Sequence, residues 1–274
     1  MPQNYFYRLH LPECWHLRAK RSVLESQGLK IRLDKFIYQR GLTPSRERAQ
    51  ALILGGKVLV NEQKIDKPGT AIDEDADIRI LGEDLGYVSR GGLKLEKALD
   101  HWQINVSGMT CLDVGTSTGG FTDCLLQHGA SRVIAVDTGY GQIDFRLRQD
   151  PRVRLLEKTN ARYLTMGQVG EAVHFVAVDV SFISATLVLP AVVEAAFSSS
   201  RLGQLVVLIK PQFEVGRQQV GKGGIVRNPD AQVAAVEKVR QAATQLGFTQ
   251  TDVIESPILG AQGNREFLLY GKPE

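Results

Sequence analysis

Apolar and polar positions along this chain follow a helical period first and a strand–helix alternation later. Arg32-Leu33-Asp34-Lys35-Phe36-Ile37 opens an amphipathic helix that Gly41 ends. Thr43, with Pro44 behind it, reads as the cap and first residue of a second helix. That helix runs through Ala49, Leu52 and Ile53 to Gly55-Gly56. Val58-Leu59-Val60, a polar turn at Asn61-Glu62, Ile65 and a strand near Ile78-Arg79-Ile80 complete a small module. Residues 1–29 mix aromatic and basic side chains without steady periodicity. They are expected to form an N-terminal extension, an added helix and an arm fitting the pattern equally well.

The glycine-rich residues 82–92 are expected to link the module, 30–81, to a second domain over 93–274. There, strand-like runs at 110–114, 132–136, 153–156, 173–178, 205–209, 251–254 and 267–270 alternate with helical stretches at 92–102, 119–128, 184–197 and 229–246. This alternation predicts an α/β fold with a mostly parallel sheet covered on both faces. The domain before it is small and α+β.

Composition changes this picture little, and charge changes it more. The chain has 274 residues, 43% hydrophobic and 23% charged, enough to bury a core. Residues 1–60 hold eleven Lys/Arg against four Asp/Glu, whereas the remainder holds 22 against 26. A basic front on an acidic body points to a polyanionic partner for the N-terminal part. Three unpaired-looking cysteines, 14, 111 and 124, suggest a reducing compartment. With no apolar run of membrane-spanning length and no signal-peptide block, the expectation is a cytoplasmic protein. No His/Cys/Asp spacing suits a metal.

The first strand of the second domain ends in Asp113-Val114-Gly115-Thr116-Ser117-Thr118-Gly119-Gly120-Phe121. Glycines at such a turn let a ligand approach the backbone, but this spacing is not that of pyrophosphate binders. Asp113 at the strand end suits a cationic group. Asp137, one strand later, suits ribose hydroxyls. Together these resemble the class I S-adenosylmethionine methyltransferases, which implies that cofactor on Asp113, Gly115, Ser117, Thr118, Gly119, Gly120, Phe121, Asp137 and Asp179, and a Rossmann-like sheet.

Four charged residues, Lys94, Asp179, Lys210 and Glu266, fall at strand ends or beside the connection. In this order they resemble the FtsJ-type ribose 2′-O-methyltransferases. The words Val88-Ser89-Arg90-Gly91-Gly92, Asp179-Val180-Ser181-Phe182-Ile183-Ser184 and Lys210-Pro211-Gln212-Phe213-Glu214 are similar to the TlyA family. The resemblance implies methylation of cytidine riboses in ribosomal RNA, with these four as catalytic residues and ribosomal RNA or ribosomal subunits as partners. Lys210 would either deprotonate the hydroxyl or orient it as an ammonium. Amino-group methylation would want Asp/Asn-Pro-Pro-aromatic, whereas Asp179 is followed by Val180-Ser181-Phe182.

Arg32-Leu33-Asp34-Lys35-Phe36, Ser45-Arg46-x-x-Ala49-Gln50 and Gly55-Gly56-Lys57-Val58 resemble the RNA-binding domain shared by ribosomal small-subunit protein four and pseudouridine synthases. That likeness makes Arg32, Lys35, Arg46, Arg48 and Lys57, with Arg90, the expected RNA contacts. Two other readings stand beside this one: a haemolysin-like membrane-active protein, since the family carries that label, and an RNA-binding protein with an inactive methyltransferase fold.

Overall fold

In the computed structural model, the described residues are 30–43, 45–81, 86–197, 202–260 and 262–274. The expected extension over 1–29, Pro44 and residues 82–85 of the expected linker lie outside them. The chain divides into two compact units, Met1–Asp84 and Leu85–Glu274.

In the first unit, helices α1 (Leu33–Gln39) and α2 (Arg46–Leu54) pack with short strands β1 (Lys30–Arg32), β2 (Val58–Val60), β3 (Gln63–Ile65), β4 (Ala71–Asp73) and β5 (Ile78–Ile80). β1 pairs with β4, and β3-β2-β5 form a second antiparallel sheet. Leu33, Phe36, Ile37, Ala49, Leu52, Ile53 and Val58 make the core. The cap of α2 is Ser45 rather than Thr43: Ser45 Oγ accepts from the Arg48 amide at 3.1 Å. Thr43 is buried instead, and its hydroxyl donates to the Ser45 carbonyl.

One charge sits inside this small unit. Asp34 is fully buried on α1, and its carboxylate accepts from Arg32, Arg46 and Gln50 at 2.8–3.1 Å. The Arg32 hydrogen bond, helped by Gln50 and Arg46, holds this carboxyl well below the usual range against the opposing effect of burial.

The second unit is built on a seven-stranded sheet of order β11-β12-β10-β9-β6-β7-β8. The strands are β6 (Thr110–Val114), β7 (Arg132–Val136), β8 (Val153–Leu156), β9 (Phe175–Val178), β10 (Gln204–Ile209), β11 (Gln250–Glu255) and β12 (Phe267–Lys272). β8, β7, β6, β9 and β10 run parallel, whereas β12 is antiparallel to both neighbours. Helices α3 (Gly91–His101) and α4 (Gly120–Gln127) cover one face. On the other face lie α7 (Leu189–Phe197) and α9 (Pro229–Gln245). Short helices α5 (Phe145–Gln149), α6 (Met166–Val169) and α8 (Pro211–Glu214) complete the unit, and the apolar pattern had not signalled them.

Two consequences of this topology matter for function. The strand order reverses at β6, between β7 and β9, so a crevice opens above the carboxyl ends of β6 and β9. Because β12 is antiparallel, its first residue, Phe267, pairs with Ile209 at the end of β10. Glu266 therefore enters the sheet beside Lys210. The expected linker over 82–92 is shorter on its far side: Tyr87 is buried in the second unit's core and α3 begins at Gly91.

Asp34→Asn removes a buried carboxylate that neutralises two arginines, so the first unit should lose about 1–3 kcal/mol at neutral pH. A depressed carboxyl stabilises above its unfolded value and loses that contribution as pH falls. Chemical denaturation should thus show the gap between wild type and variant constant above about pH 5 and narrowing progressively as pH falls below about 4; equal stability at pH 7 would refute this role for Asp34.

Candidate active site

Gly115 begins the turn out of β6 with φ +90°. A Cβ there would meet the Asp179 carbonyl oxygen at 2.3 Å, so only glycine lets the exits of β6 and β9 touch. Gly120 is under a similar constraint: a Cβ would reach Ser89 Oγ at 2.3 Å and the Gly92 amide nitrogen at 2.9 Å. That contact seats the first turn of α3 against the first turn of α4 and carries Lys94 to the crevice.

The crevice has two lobes that share Gly115, Ser117, Asp179, Ser181 and Phe182. The first, of about 330 Å³, is lined by Lys94, Asp179, Lys210 and Glu266, with Arg90 at its rim. All four charged residues singled out at distant points of the chain therefore face one space. The second lobe, of about 400 Å³, is lined by Asp137, Thr138, Gln142, Thr159 and Asn160. Both volumes are in the range of small-molecule sites.

Within the first lobe the charges form two pairs. Lys94 Nζ donates to Glu266 Oε2 at 2.5 Å, with both side chains nearly buried. Lys210 Nζ lies 2.5 Å from Asp179 Oδ1 and donates to Ser181 Oγ at 2.7 Å. Two ion pairs at the tips of apolar strands add little net stability, because desolvation offsets their attraction. Their placement in a cleft marks a functional site.

Among the expected cofactor contacts, Gly115, Ser117, Thr118, Gly120, Phe121, Asp137 and Asp179 line the lobes. Asp137 already accepts from the Ser117 amide at 2.7 Å and the Gly139 amide at 2.6 Å, which fixes the glycine turn against it. Gly119, at φ +99°, packs against Leu147 and Ile143 rather than the cleft. Asp113 is placed differently from the expectation. It is fully buried on the α3/α4 side of the sheet, where Thr122 donates to Oδ2 at 2.6 Å and Oδ1 has no partner. Side chains alternate along a strand, and Asp113 shares its face with Cys111, not with the cleft. Burial pushes its carboxyl up to about 7, Thr122 opposing and the charges of Asp179 and Asp137 adding to the rise.

The first unit brings together Arg32 and Arg46, both half-exposed around Asp34. Lys35, whose backbone amide also donates to Asp34 Oδ1 at 2.9 Å, and Lys57 are exposed, and Arg48 is half-buried.

Glu214 had no assigned role. It is buried on α8, where its carboxylate accepts from Ser184 Oγ at 2.5 Å and from the Ala185 amide at 2.7 Å, with Lys238 Nζ 3.2 Å away. It thereby ties the segment after β9, which carries Asp179 and Ser181, to the turn after Lys210. Its place four residues beyond Lys210 was the available signal; its partners lie some thirty positions away.

A doubly wound sheet with a polar cleft above its reversal point defines a nucleotide- or cofactor-using α/β enzyme. Residues 87–272 match the FtsJ-like methyltransferase model and residues 31–78 the S4 domain model. The 16S/23S rRNA (cytidine-2′-O)-methyltransferase TlyA of Mycobacterium tuberculosis is 45% identical over 242 residues, covering 88% of this chain and 89% of that one. Hemolysin A of Brachyspira hyodysenteriae is 40% identical over 241 residues, covering 88% and 99%. A solved structure of a hemolysin candidate from Streptococcus thermophilus superposes with a TM-score of 0.68 at 44% identity, covering 89% of each chain. The chain belongs to the FtsJ-like methyltransferases and, among them, to the TlyA family. No helix among the described residues is long and apolar enough to cross a membrane.

A carboxyl raised by burial costs stability once the unfolded state ionises and the folded state does not. Wild type should therefore lose stability relative to Asp113→Asn as pH rises from about 4 to about 7. Denaturant titrations at both pH values measure this, and a pH-independent difference would exclude the raised carboxyl.

Proposed function

We propose that the protein transfers a methyl group from S-adenosylmethionine to a cytidine 2′-hydroxyl of ribosomal RNA, in the cytoplasm where ribosomes reside. The observation that carries this reading is the convergence of Lys94, Asp179, Lys210 and Glu266 on one lobe next to the glycine turn. The cofactor fits the residues present. The glycine turn at Gly115 and Gly120 lines the first lobe, and the Asp137 oxygens keep lone pairs for ribose hydroxyls in the second. Ser117, Thr118 and Phe121 would hold the remainder. When bound, S-adenosylmethionine supplies an activated methyl on a sulfonium.

What remains for the protein is alignment of the hydroxyl and disposal of its proton. Lys210 is the group placed for the alignment. Held 2.5 Å from Asp179, its ammonium is placed to orient the hydroxyl oxygen and to stabilise negative charge developing on it. Ser181 fixes the direction of the amine, and Glu266 does the same for Lys94. Asp179, paired with Lys210 in the same lobe, is the carboxylate we assign to receive the proton leaving the hydroxyl.

The S4 domain supplies RNA affinity through Arg32, Lys35, Arg46, Arg48 and Lys57, which meet phosphates and shape rather than sequence. Arg90, exposed at the rim of the first lobe, is positioned for the backbone of an entering strand. The hemolysin names of relatives raise a membrane-active reading, which liposome leakage by the purified protein would test directly.

Lys210→Ala is expected to reduce labelled-methyl transfer to ribosomal subunits at least about a hundredfold, while calorimetric binding of S-adenosylmethionine changes little. Near-normal turnover would remove Lys210 from the mechanism. A chain beginning at Leu85 should bind the cofactor normally and RNA at least about tenfold more weakly, with a shallower salt dependence. Unchanged RNA affinity would assign binding to the second unit.

A further inference from the structure

The loop that joins α8 to α9, residues 215–228, contributes no lining to either lobe of the cleft. It carries Arg217, Lys222 and Arg227, all exposed, and no carboxylate lies between Glu214 and Asp230. Elsewhere on this unit exposed arginines are matched: Arg146, Arg148, Arg152 and Arg265 each hold a carboxylate. The side chains of the three loop cations make no ion pair, ring contact or hydrogen bond among the described residues. A run of one sign on a surface otherwise mixed in charge concentrates a field that attracts anions.

This loop is not slack. Buried Asn264 accepts from the Val226 amide through Oδ1 at 2.9 Å and donates through Nδ2 to the Gly224 carbonyl at 2.8 Å. Buried Gln232, on α9, donates to the Val226 carbonyl at 2.7 Å. Within the loop, the Gly221 amide donates to the Ile225 carbonyl and the Gly224 amide to the Gly221 carbonyl, both at 3.0 Å. Arg227 reaches back to Gly221, where a Cβ would stand 3.6 Å from Nη1, so its guanidinium lies beside the backbone that carries Lys222. Like charges on a fixed backbone repel, a cost that a bound anion relieves. Gly224 packs against Gln262, where a Cβ would stand 2.8 Å from Oε1, and Gln262 lines the first lobe with Lys210 and Glu266. The basic loop therefore borders that lobe.

We infer that residues 217–227 form a phosphate-binding surface for the RNA strand that flanks the methylated nucleotide. The inference rests on the ribose-methylation reading above and extends it from that nucleotide to its neighbours. A ribose within a polynucleotide cannot enter the lobe alone, because the phosphates attached to it and to the next nucleotides must cross the border. Cations there neutralise those phosphates and release counterions, which supplies affinity without sequence choice. The bonds from Asn264 and Gln232 shape the loop in advance and so lower the entropy lost when it binds. The methyltransferase unit thereby has a hold on its substrate separate from that of the S4 domain. The cofactor's carboxylate is the other anion at hand, and the test separates the two.

The full-length protein is compared with the triple variant Arg217→Gln/Lys222→Gln/Arg227→Gln by titration with unmethylated ribosomal subunits over about 0.05–0.3 M salt. The variant should bind at least about tenfold more weakly at about 0.1 M salt. Its plot of log affinity against log salt should be shallower by about 2 to 3, slightly less than one for each lost phosphate contact. Single-turnover methyl transfer should need more RNA to saturate, with a maximal rate within about twofold of wild type. S-adenosylmethionine affinity and thermal stability should not change. Arg217→Lys/Lys222→Arg/Arg227→Lys keeps every charge and should bind like wild type. Lys272→Gln, at the opposite end of the sheet, should keep the wild-type salt slope. An unchanged slope in the neutral variant overturns the inference, as a solvated loop or an acidic protein partner requires, and leaves the methyltransferase reading intact. Equal weakening in the charge-retaining variant also overturns it, because these contacts accept either cation. Lost cofactor affinity with RNA binding preserved overturns it and assigns the loop to the carboxylate. Absence of methyl transfer by wild type overturns the ribose-methylation reading, and this inference with it.

Discussion

The site depends on the contact between the exits of two neighbouring strands. Gly115, leaving β6, lies against the Asp179 carbonyl leaving β9, with no room between them for a methyl group. This contact sets where the Asp179 side chain stands relative to the glycine turn, and both lobes of the cleft are measured from it. A second close approach, Gly120 against Ser89 and Gly92, seats α3 and brings Lys94 to the same space. Antiparallel entry of β12 then delivers Glu266 beside the end of β10. Each constraint is a matter of backbone proximity, and the charged side chains are its passengers.

Charge in the second unit is handled in three ways. The cleft carboxylates are matched by lysines, so the first lobe balances two cations against two anions close to the sheet. Asp113, just behind the same strand end, is too deeply buried for that solution and holds its proton instead. Glu214 is met by a backbone amide, a serine hydroxyl and Lys238, and its task is mechanical: it joins the two segments that present Asp179 and Lys210. An isolated ionised carboxylate in any of these places would be prohibitively costly. The first unit repeats the logic on a smaller scale, where Asp34 gathers Arg32 and Arg46 and thereby orders part of a basic surface.

Much of this was legible from residue pattern. Strands β6, β7 and β8 fall where their runs were read: β6 and β7 are buried and mostly apolar, as parallel strands covered on both faces are, whereas the edge strand β8 is half-buried and carries Arg154. The short helices α5, α6 and α8 were not, because four or five residues are too few to express a helical period. The cap of α2 was misplaced by two residues, as Thr43 and Ser45 are both good caps and only the observed hydrogen bond distinguishes them. The glycines over 82–92 suggested a linker, yet Gly91 and Gly92 serve close packing within the second unit.

The sequence by itself determined the alternating architecture, the basic N-terminal module, the glycine turn and the identities of four charged residues at strand ends. These are local properties, written in periodicity, turn chemistry and residue type. Only the tertiary structure decided that Lys94 pairs with Glu266 across 172 positions and Lys210 with Asp179, and that Asp113 turns to the α3/α4 side of the sheet. Pairing, facing and burial depend on strand order and direction, and no local stretch of chain encodes which distant residues will share a space.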